Sequence, residues 1–211
     1  GLLTSSDVKA KRAEIDAVQA ELGDSIHLLQ GSEVEIRADG ELDFSDEVLA
    51  RLDIVCASLH SSLRQPREQI TARLLKVLQN PHVDMIGHPT GRLLPNREGA
   101  DLDMEAVLAA AAEHGVALEI NAHPSRLDLD DVYTRRAISY GGEQRFGGEQ
   151  RFGGEQRMGI PIAINTDAHS ASDMEMLHFG VATARRGWAE KKDIMNTWED
   201  SKLMKWLRQR G

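Results

Sequence analysis

The chain has 211 residues, enough to bury one sizeable core, and its composition is 41% hydrophobic with only 4% aromatic residues. Its net charge of −9 argues against a protein that binds duplex DNA tightly by itself, because high affinity for DNA comes from many Lys and Arg contacts to phosphate. An acidic balance suits instead a site that collects divalent cations.

Apolar runs and cysteine usage indicate a cytoplasmic protein without a membrane partner. No apolar run approaches the length of about 18 residues that a membrane helix needs, and the first residues do not resemble a signal peptide. The single cysteine, Cys56, lies in an apolar run and cannot form an internal disulfide. These features favour a reducing compartment.

Helical and strand patterns alternate along the chain. Pro66 is a favoured residue for the first turn of a helix, and Gly115 is a typical stop. In chain order, the predicted elements are helix 6–22, strand 27–36, helix 44–52, strand 53–61, helix 66–80, strand 83–90, helix 103–115, strand 116–124, helix 128–138, strand 160–170, helix 172–188 and helix 201–210. Short apolar strands that alternate with helices predict a parallel sheet covered by helices, as in βα barrels.

One segment interrupts this alternation. Residues 140–157 repeat a six-residue unit, aromatic-Gly-Gly-Glu-Gln-Arg, three times. Two glycines per unit disfavour a helix, so the main interpretation is a flexible surface insertion. In the alternative, the arginines and aromatic residues of the repeat contact nucleic acid.

Polar residues follow the predicted strands at the ends where βα barrels carry their chemistry. The strands end in or carry GSEVE, SLHS, GHPT, NAHP and TDAHS. This arrangement brings Glu33, His60, His88, Asp167 and His169 to one edge of the sheet. Imidazole and carboxylate groups together suit Zn²⁺, Mn²⁺ or Fe. The sequence therefore predicts a metal site at this edge.

These motifs resemble a known family. In this order, GSEVEI, ASLHS, IGHPTGRLL, LEINAHPSRLDLDD and INTDAHS resemble the polymerase and histidinol phosphatase (PHP) domain, in particular the one at the C-terminus of bacterial family X DNA polymerases. The resemblance covers nearly the whole chain except the Gly-rich repeat, and GHPTGRLL and GVATARRGW are its most specific pieces. It implies a distorted (βα)7 TIM-like barrel with up to three divalent ions, commonly Mn²⁺ or Zn²⁺. The implied activity is phosphoester hydrolysis, here 3′–5′ exonuclease action and DNA-end processing in repair.

The resemblance also assigns residues. The metal-binding glutamate of the family falls on Glu33, with Glu35 as an alternative on the same face of the strand. The metal-binding histidines of the middle strands fall on His60 and His88, and the closing Asp-x-His falls on Asp167 and His169. The resemblance implies that His60, Asp167 and His169 carry catalysis through the metal.

A further group of residues would contact the substrate. Asn121 matches a polar residue at the site, and His123 stands where a smaller amide is expected, so that its role as a ligand stays open. Arg92 follows the GHPTG turn and is a candidate to hold a phosphate, with a solvated loop arginine as the alternative. Arg126 has a weaker claim of the same kind.

The sequence departs from the family pattern at its start. The family begins with a strand bearing His-x-His and a second strand ending Thr-Asp-His, and neither precedes residue 1. We therefore expect a partial PHP domain over 1–211 that lacks the first two barrel strands.

Three functions stay open at this point. The first is a nuclease module that reaches DNA 3′ ends through an upstream polymerase domain. The second is a small-molecule phosphoesterase of the histidinol-phosphatase type. The third is a non-catalytic structural or regulatory remnant. The pattern predicts no particular oligomeric state.

Overall fold

The computed structural model describes residues 4–140 and 159–208. In these ranges strands and helices alternate as the sequence predicts. The strands are β1 (Gly31–Glu35), β2 (Ile54–Ser58), β3 (Met85–Gly87), β4 (Ala117–Asn121) and β5 (Ile162–Asn165). The helices are α1 (Ser5–Leu22), α2 (Asp46–Leu49), α3 (Arg67–Leu78), α4 (Met104–His114), α5 (Asp131–Ser139), α6 (Leu177–Arg186) and α7 (Asp200–Arg208).

The strands form a parallel sheet in the order β1-β2-β3-β4-β5. Glu35 is in register with Ser58, and Ser58 in turn is in register with Gly87, so the carboxyl ends of β1, β2 and β3 lie side by side. Asn121 is in register with Asn165 at the ends of β4 and β5. The prediction of an α/β fold with a parallel sheet is confirmed, and the sequential order of the parallel strands is consistent with a TIM-like arrangement.

Alternate side chains of each strand point to opposite faces of the sheet. One face carries aliphatic residues such as Val34, Ile86 and Leu118, which pack with Leu74 of α3 and Leu108 of α4 in the main core. The other face carries a smaller apolar cluster near the amino ends of the strands. Its members are Met85, Ala117, Ala163 and Met195, against which Cys56, Trp198, Leu203 and Trp206 pack. Polar side chains occupy the same face nearer the carboxyl ends, where the candidate site lies.

Local signals explain where several helices begin and end. Thr4 and Asp7 form a reciprocal capping box at the start of α1, and Gly115 ends α4 in the left-handed conformation with φ 67°. Helix α5 begins three residues later than predicted, because Asp128 bridges to Asn121 and the side chain of Asp130 caps the helix. The predicted helix 172–188 is divided into a 3₁₀ segment (Ala171–Met176) and α6.

Two predicted segments lie partly outside the described residues. Apart from Tyr140, the repeat at 140–157 lies outside the described residues, as do the last residues of the predicted helix 201–210. Among the helices of residues 4–140 and 159–208, none combines the length and apolar character needed to cross a bilayer.

Gly180 permits close contact between α6 and the sheet. A Cβ atom at this position would lie 2.5 Å from Ile164 Cγ2 and 2.8 Å from the Ala122 Cβ atom, both well inside van der Waals distance. Ile164 belongs to β5, which precedes Asp167, and Ala122 directly follows β4, which ends at Asn121. A larger residue would therefore push α6 away from β4 and β5.

We expect Gly180→Val to lower the free energy of unfolding by about 1–3 kcal/mol, because it overpacks this contact. The matched control is Ala182→Val on the same helix, where the side chain is exposed and the same β-branched residue is introduced. That change should cost no more than about 0.5 kcal/mol. Urea unfolding followed by circular dichroism measures both, and equal losses would show that the close contact at Gly180 is unimportant.

Candidate metal centre

Neighbouring strands bring three of the predicted ligands together. Glu33 lies in β1, His60 follows β2 by two residues, and His88 directly follows β3. One ligand atom from each of these side chains lies within 4.8 Å of the others. The parallel register places the three side chains at one edge of the sheet, as the sequence predicts.

The two imidazole rings converge on one carboxylate oxygen. Glu33 Oε1 lies 3.0 Å from His88 Nε2 and 3.3 Å from His60 Nε2. The ring centroids are 5.0 Å apart and the ring planes are inclined by 75°, so the histidines meet edge to face. His88 is only 1% exposed, and neither of its ring nitrogens makes a hydrogen bond of good geometry. Buried polar atoms normally have partners, so this ring is suited to binding a ligand through nitrogen.

The donor chemistry of this cluster fits a transition metal. Two imidazole nitrogens and one carboxylate oxygen suit Zn²⁺ or Mn²⁺ better than the all-oxygen sites preferred by Mg²⁺ and Ca²⁺. Three protein ligands of this kind also leave a coordination position for water or substrate, as in catalytic zinc sites. Glu33, His60 and His88 are therefore able to hold one divalent ion.

Electrostatic coupling ties these side chains to one another. His60 is the main cause that lowers the pKa of Glu33 far below its ordinary value, and His88 adds to this effect. Reciprocally, Glu33 raises the pKa of His60, while burial opposes the shift and Glu35 adds to it. A metal ion must therefore compete with a proton for His60.

Glu35, the alternative ligand from the sequence, lies behind His60 rather than in the cluster. Its Oε2 accepts hydrogen bonds from His60 Nδ1 at 2.7 Å and from the His60 backbone N–H at 3.1 Å. Its Oε1 accepts from the backbone N–H of Ser61 at 3.1 Å and from the Ser61 hydroxyl. A carboxylate that accepts from Nδ1 leaves the lone pair of the ring on Nε2, which faces Glu33. The geometry thus favours Glu33 over Glu35 as the ligand.

His88 depends on a buried carboxylate that sequence reasoning missed. Its backbone N–H donates to Glu119 Oε2 at 2.6 Å, and Asn165 donates to the other oxygen of Glu119 at 2.9 Å. Burial is the main cause that raises the pKa of Glu119, which is 4% exposed. The His88 backbone adopts φ 25°, an uncommon conformation for a non-glycine residue. The signal in the sequence is an acidic residue inside the otherwise apolar strand VALEI.

Asp167 and His169 lie after β5 and do not join the three-residue cluster. Asp167 Oδ2 lies 3.2 Å from Arg126 Nε and accepts a hydrogen bond from Asn121 Nδ2 at 3.2 Å. His169 is exposed, and its Nδ1 lies 2.8 Å from the carbonyl oxygen of Asp167, which leaves Nε2 open. The structure therefore brings Asn121 and Arg126 to Asp167. The role of Asp167 and His169 as metal ligands stays a prediction.

His123 has the opposite proton arrangement to His60. The backbone N–H of Ser125 donates to His123 Nδ1 at 3.2 Å, so this nitrogen carries the lone pair. The neutral ring then bears its proton on Nε2. This form suits a hydrogen-bond donor to substrate rather than a metal ligand through Nε2.

Polar contacts link the loops that follow β3 and β4. Arg92 donates through Nε to the Arg126 carbonyl at 2.6 Å and through Nη2 to the Leu127 carbonyl. The carboxylate of Asp128 accepts from the Thr90 N–H, the Thr90 hydroxyl and the N–H of Gly91 at 2.9–3.0 Å. Burial raises the pKa of Asp128. Arg92 is thus engaged with backbone, and its predicted contact with phosphate stays a prediction.

No family model matches the chain. Its family is shown instead by similarity to individual known proteins. It is 41% identical over 194 residues to the DNA polymerase/3′-5′ exonuclease PolX of Bacillus subtilis (strain 168), covering 92% of this chain but 31% of that protein. It is 30% identical over 191 residues to a protein named probable phosphatase from Thermoanaerobacter sp. (strain X514), covering 89% of this chain and 70% of that protein.

The fold and the site define the class: an α/β protein with a candidate metal centre of two histidines and one carboxylate at the carboxyl edge of a parallel sheet. The chain belongs to the PHP family, and its relatives include the PolX type. It spans less than one third of the length of the Bacillus protein, at 31%.

The raised pKa of His60 predicts a pH dependence of stability in chelator-treated protein. Its contribution is fully present below the ordinary value of 6.5 and is lost as the pH rises through the raised folded-state pKa. We therefore expect the free energy of unfolding to fall as the pH rises above 6.5 through the raised pKa of His60, and His60→Gln to flatten this fall. His178→Gln, at an exposed position of α6 away from the cluster, is the control and should keep the wild-type slope. Urea titrations across this range measure it, and a wild-type slope in His60→Gln would contradict the assignment.

Proposed function

We propose that this chain is a divalent-metal-dependent phosphoesterase that hydrolyses phosphodiester bonds at DNA 3′ ends. In this proposal it is the PHP part of a bacterial family X DNA polymerase that acts in DNA repair in the cytoplasm. The observation that carries the proposal is the convergence of Glu33, His60 and His88. The name of the Bacillus relative, a DNA polymerase/3′-5′ exonuclease, supports the reaction class.

The metal proposed is Mn²⁺ or Zn²⁺, held by Glu33 Oε1 and the Nε2 atoms of His60 and His88. Such an ion lowers the pKa of a coordinated water and offsets negative charge on phosphoryl oxygens. Glu33 supplies the negative charge that this edge offers to the cation, while Glu35 keeps the lone pair of His60 on Nε2. Neither role needs a serine or cysteine nucleophile.

Residues after β4 and β5 are proposed to bind the substrate. Arg126 is a cation at this edge, and its Nη1 is buried without a hydrogen-bond partner while Nε pairs with Asp167. His123 offers a proton on Nε2, and Asn121 holds Asp167 in place. A phosphate group accepts hydrogen bonds from both kinds of donor. Arg92 would act indirectly, because it holds the loop that carries Arg126.

We further propose that the observed sheet is part of a distorted (βα)7 barrel. In the complete barrel, two further strands would add ligands and raise the capacity to as many as three ions. The order of the five parallel strands and the 31% coverage of the Bacillus protein support this proposal. In that protein context, an upstream polymerase domain would supply the affinity for DNA that a chain of net charge −9 lacks.

A small-molecule phosphoesterase of the histidinol-phosphatase type is the second candidate. The chain spans 70% of the Thermoanaerobacter relative, whose name is probable phosphatase. A metal-binding protein without hydrolytic activity is the third candidate, a structural or regulatory PHP remnant. Comparison of a 5′-labelled single-stranded oligonucleotide with histidinol phosphate distinguishes the three.

We expect the 211-residue chain to retain about one tightly bound divalent ion after dialysis, because one cluster of three ligands is assembled. Glu33→Gln, His60→Ala and His88→Ala should each abolish tight binding, whereas His178→Ala should bind as the wild type does. Elemental analysis and calorimetric titration with Zn²⁺ or Mn²⁺ measure this. Three tight ions in the wild type, or unchanged binding in His60→Ala, would overturn the assignment.

We expect Asp167→Asn and His169→Ala to slow release of nucleotides from a DNA 3′ end by at least about 100-fold in the proposed longer protein with the two further strands. Asp167→Asn keeps shape but removes the charge that faces Arg126, and His169→Ala removes an open nitrogen. The fold should survive, because both residues lie outside the apolar face of β5. Excess Mn²⁺ should restore part of the rate where affinity is the defect. Wild-type rates in both variants would remove Asp167 and His169 from the site.

A further inference from the structure

Glu35 is fully occupied by two consecutive residues of the loop after β2. Both of its oxygens accept hydrogen bonds from His60 and Ser61, through two backbone N–H groups and two side chains. None of these donors belongs to another loop. The carboxylate therefore fixes the backbone at His60 and the orientation of its ring at the same time.

A buried arginine stands next to this carboxylate. Arg73 of α3 is 3% exposed, and its Nη2 lies 3.7 Å from Glu35 Oε1. Its guanidinium also donates to the Ile36 carbonyl, directly after Glu35, and to the Ser61 carbonyl at 3.0 Å. Arg73 therefore contacts the backbone on both sides of the hydrogen bonds between Glu35 and His60.

Stability alone does not account for such an arginine. Taking a guanidinium out of water is costly, and an apolar residue of similar size often gives an equally stable core. Arg73 Nε also has no hydrogen-bond partner in its buried position, which adds to this cost. Arg67, on the same helix, shows the ordinary situation, since it is half exposed and pairs with Asp101 at 2.8 Å.

We propose that Arg73 and Glu35 are positioning residues for the metal centre. Arg73 holds Glu35, and Glu35 holds His60 with its proton on Nδ1 and its lone pair on Nε2, directed to the cluster. Histidine ligands commonly donate their other nitrogen to a carboxylate, and loss of that partner weakens metal binding about 10–100-fold. The proposal rests on the proposed metal site of Glu33, His60 and His88.

The variants separate this role from a contribution to folding. Glu35→Gln keeps the size of the side chain but cannot accept from all four donors. Arg73→Met removes the guanidinium and retains an unbranched stem, while Arg73→Lys keeps the charge but not the planar fork. Arg67→Met is the matched control on the same helix, and His60→Ala tests the metal site itself. Circular dichroism confirms that each variant of the 211-residue chain is folded at the temperature of measurement.

Two readouts are measured. Calorimetric titration with Zn²⁺ gives the affinity, and ¹⁵N NMR of histidine-labelled, metal-free protein at alkaline pH gives the tautomer of His60. Assignment of the His60 signal comes from its loss in His60→Ala. We expect about 10–100-fold weaker Zn²⁺ binding in Glu35→Gln and up to about tenfold weaker binding in Arg73→Met, with Arg73→Lys between wild type and Arg73→Met. The proton of His60 should move from Nδ1 towards Nε2 in Glu35→Gln.

The outcomes are distinguishable. Unchanged affinity in His60→Ala would overturn the proposed metal site. Loss of affinity in His60→Ala, with wild-type affinity and tautomer in Glu35→Gln, would overturn the positioning role while the metal site stands. If Arg73→Met does not fold, Glu35→Gln and Arg73→Lys decide the question. A loss in Arg67→Met equal to that in Arg73→Met would show a general effect of α3, which also overturns the role of Arg73.

Discussion

The candidate centre depends on carboxylates that accept hydrogen bonds from the histidine backbone. The N–H of His60 donates to Glu35 and the N–H of His88 donates to Glu119, and each carboxylate comes from a neighbouring strand. A histidine at a strand end is otherwise free to turn towards solvent. Because the strands are parallel and in register, these two bonds place both histidines beside Glu33, and the bond from His60 Nδ1 to Glu35 orients the ring of His60.

This arrangement divides the acidic residues of the centre into two kinds. Glu33 faces the imidazoles and is the one whose pKa is depressed, which is the behaviour of a carboxylate that stays charged and attracts cations. Glu119 is enclosed under the loop of His88, and burial raises its pKa. Two carboxyl groups at the same edge of the sheet, Glu33 on β1 and Glu119 on β4, thus have different tasks, set by what surrounds each one.

The sequence was sufficient to predict the sheet and the edge at which its polar residues gather. Alternation of apolar strands with helices determines a parallel sheet, and a parallel sheet places every strand end at one edge. Element boundaries were less accurate, because Asp128 adds a bridge to Asn121 and delays α5. The helix predicted over 172–188 likewise contains a 3₁₀ turn that apolar spacing does not reveal.

The ligand set was only partly accessible from sequence for a similar reason. Strand alternation puts Glu33 and Glu35 on one face. The structure is needed to show that both oxygens of Glu35 already accept hydrogen bonds from the loop of His60. Sequence analysis did not identify Glu119 and Arg73, because several of their partners are backbone groups whose directions depend on loop conformation. Apart from Tyr140, the repeat at 140–157 lies outside the described residues, so its interpretation as a surface insertion stays a prediction.

The linked loops have a consequence for how this protein can diverge. Asp128 accepts hydrogen bonds from the turn after β3, and Arg92 donates to the backbone carbonyl of Arg126. Arg126 in turn pairs with Asp167 after β5. A loop transferred from a relative into this chain would lack its matching hydrogen-bond and ion-pair partners in the other two loops. A crossover between homologues within α3 keeps the three linked segments together, whereas a crossover between β3 and Asp167 separates partners of these contacts.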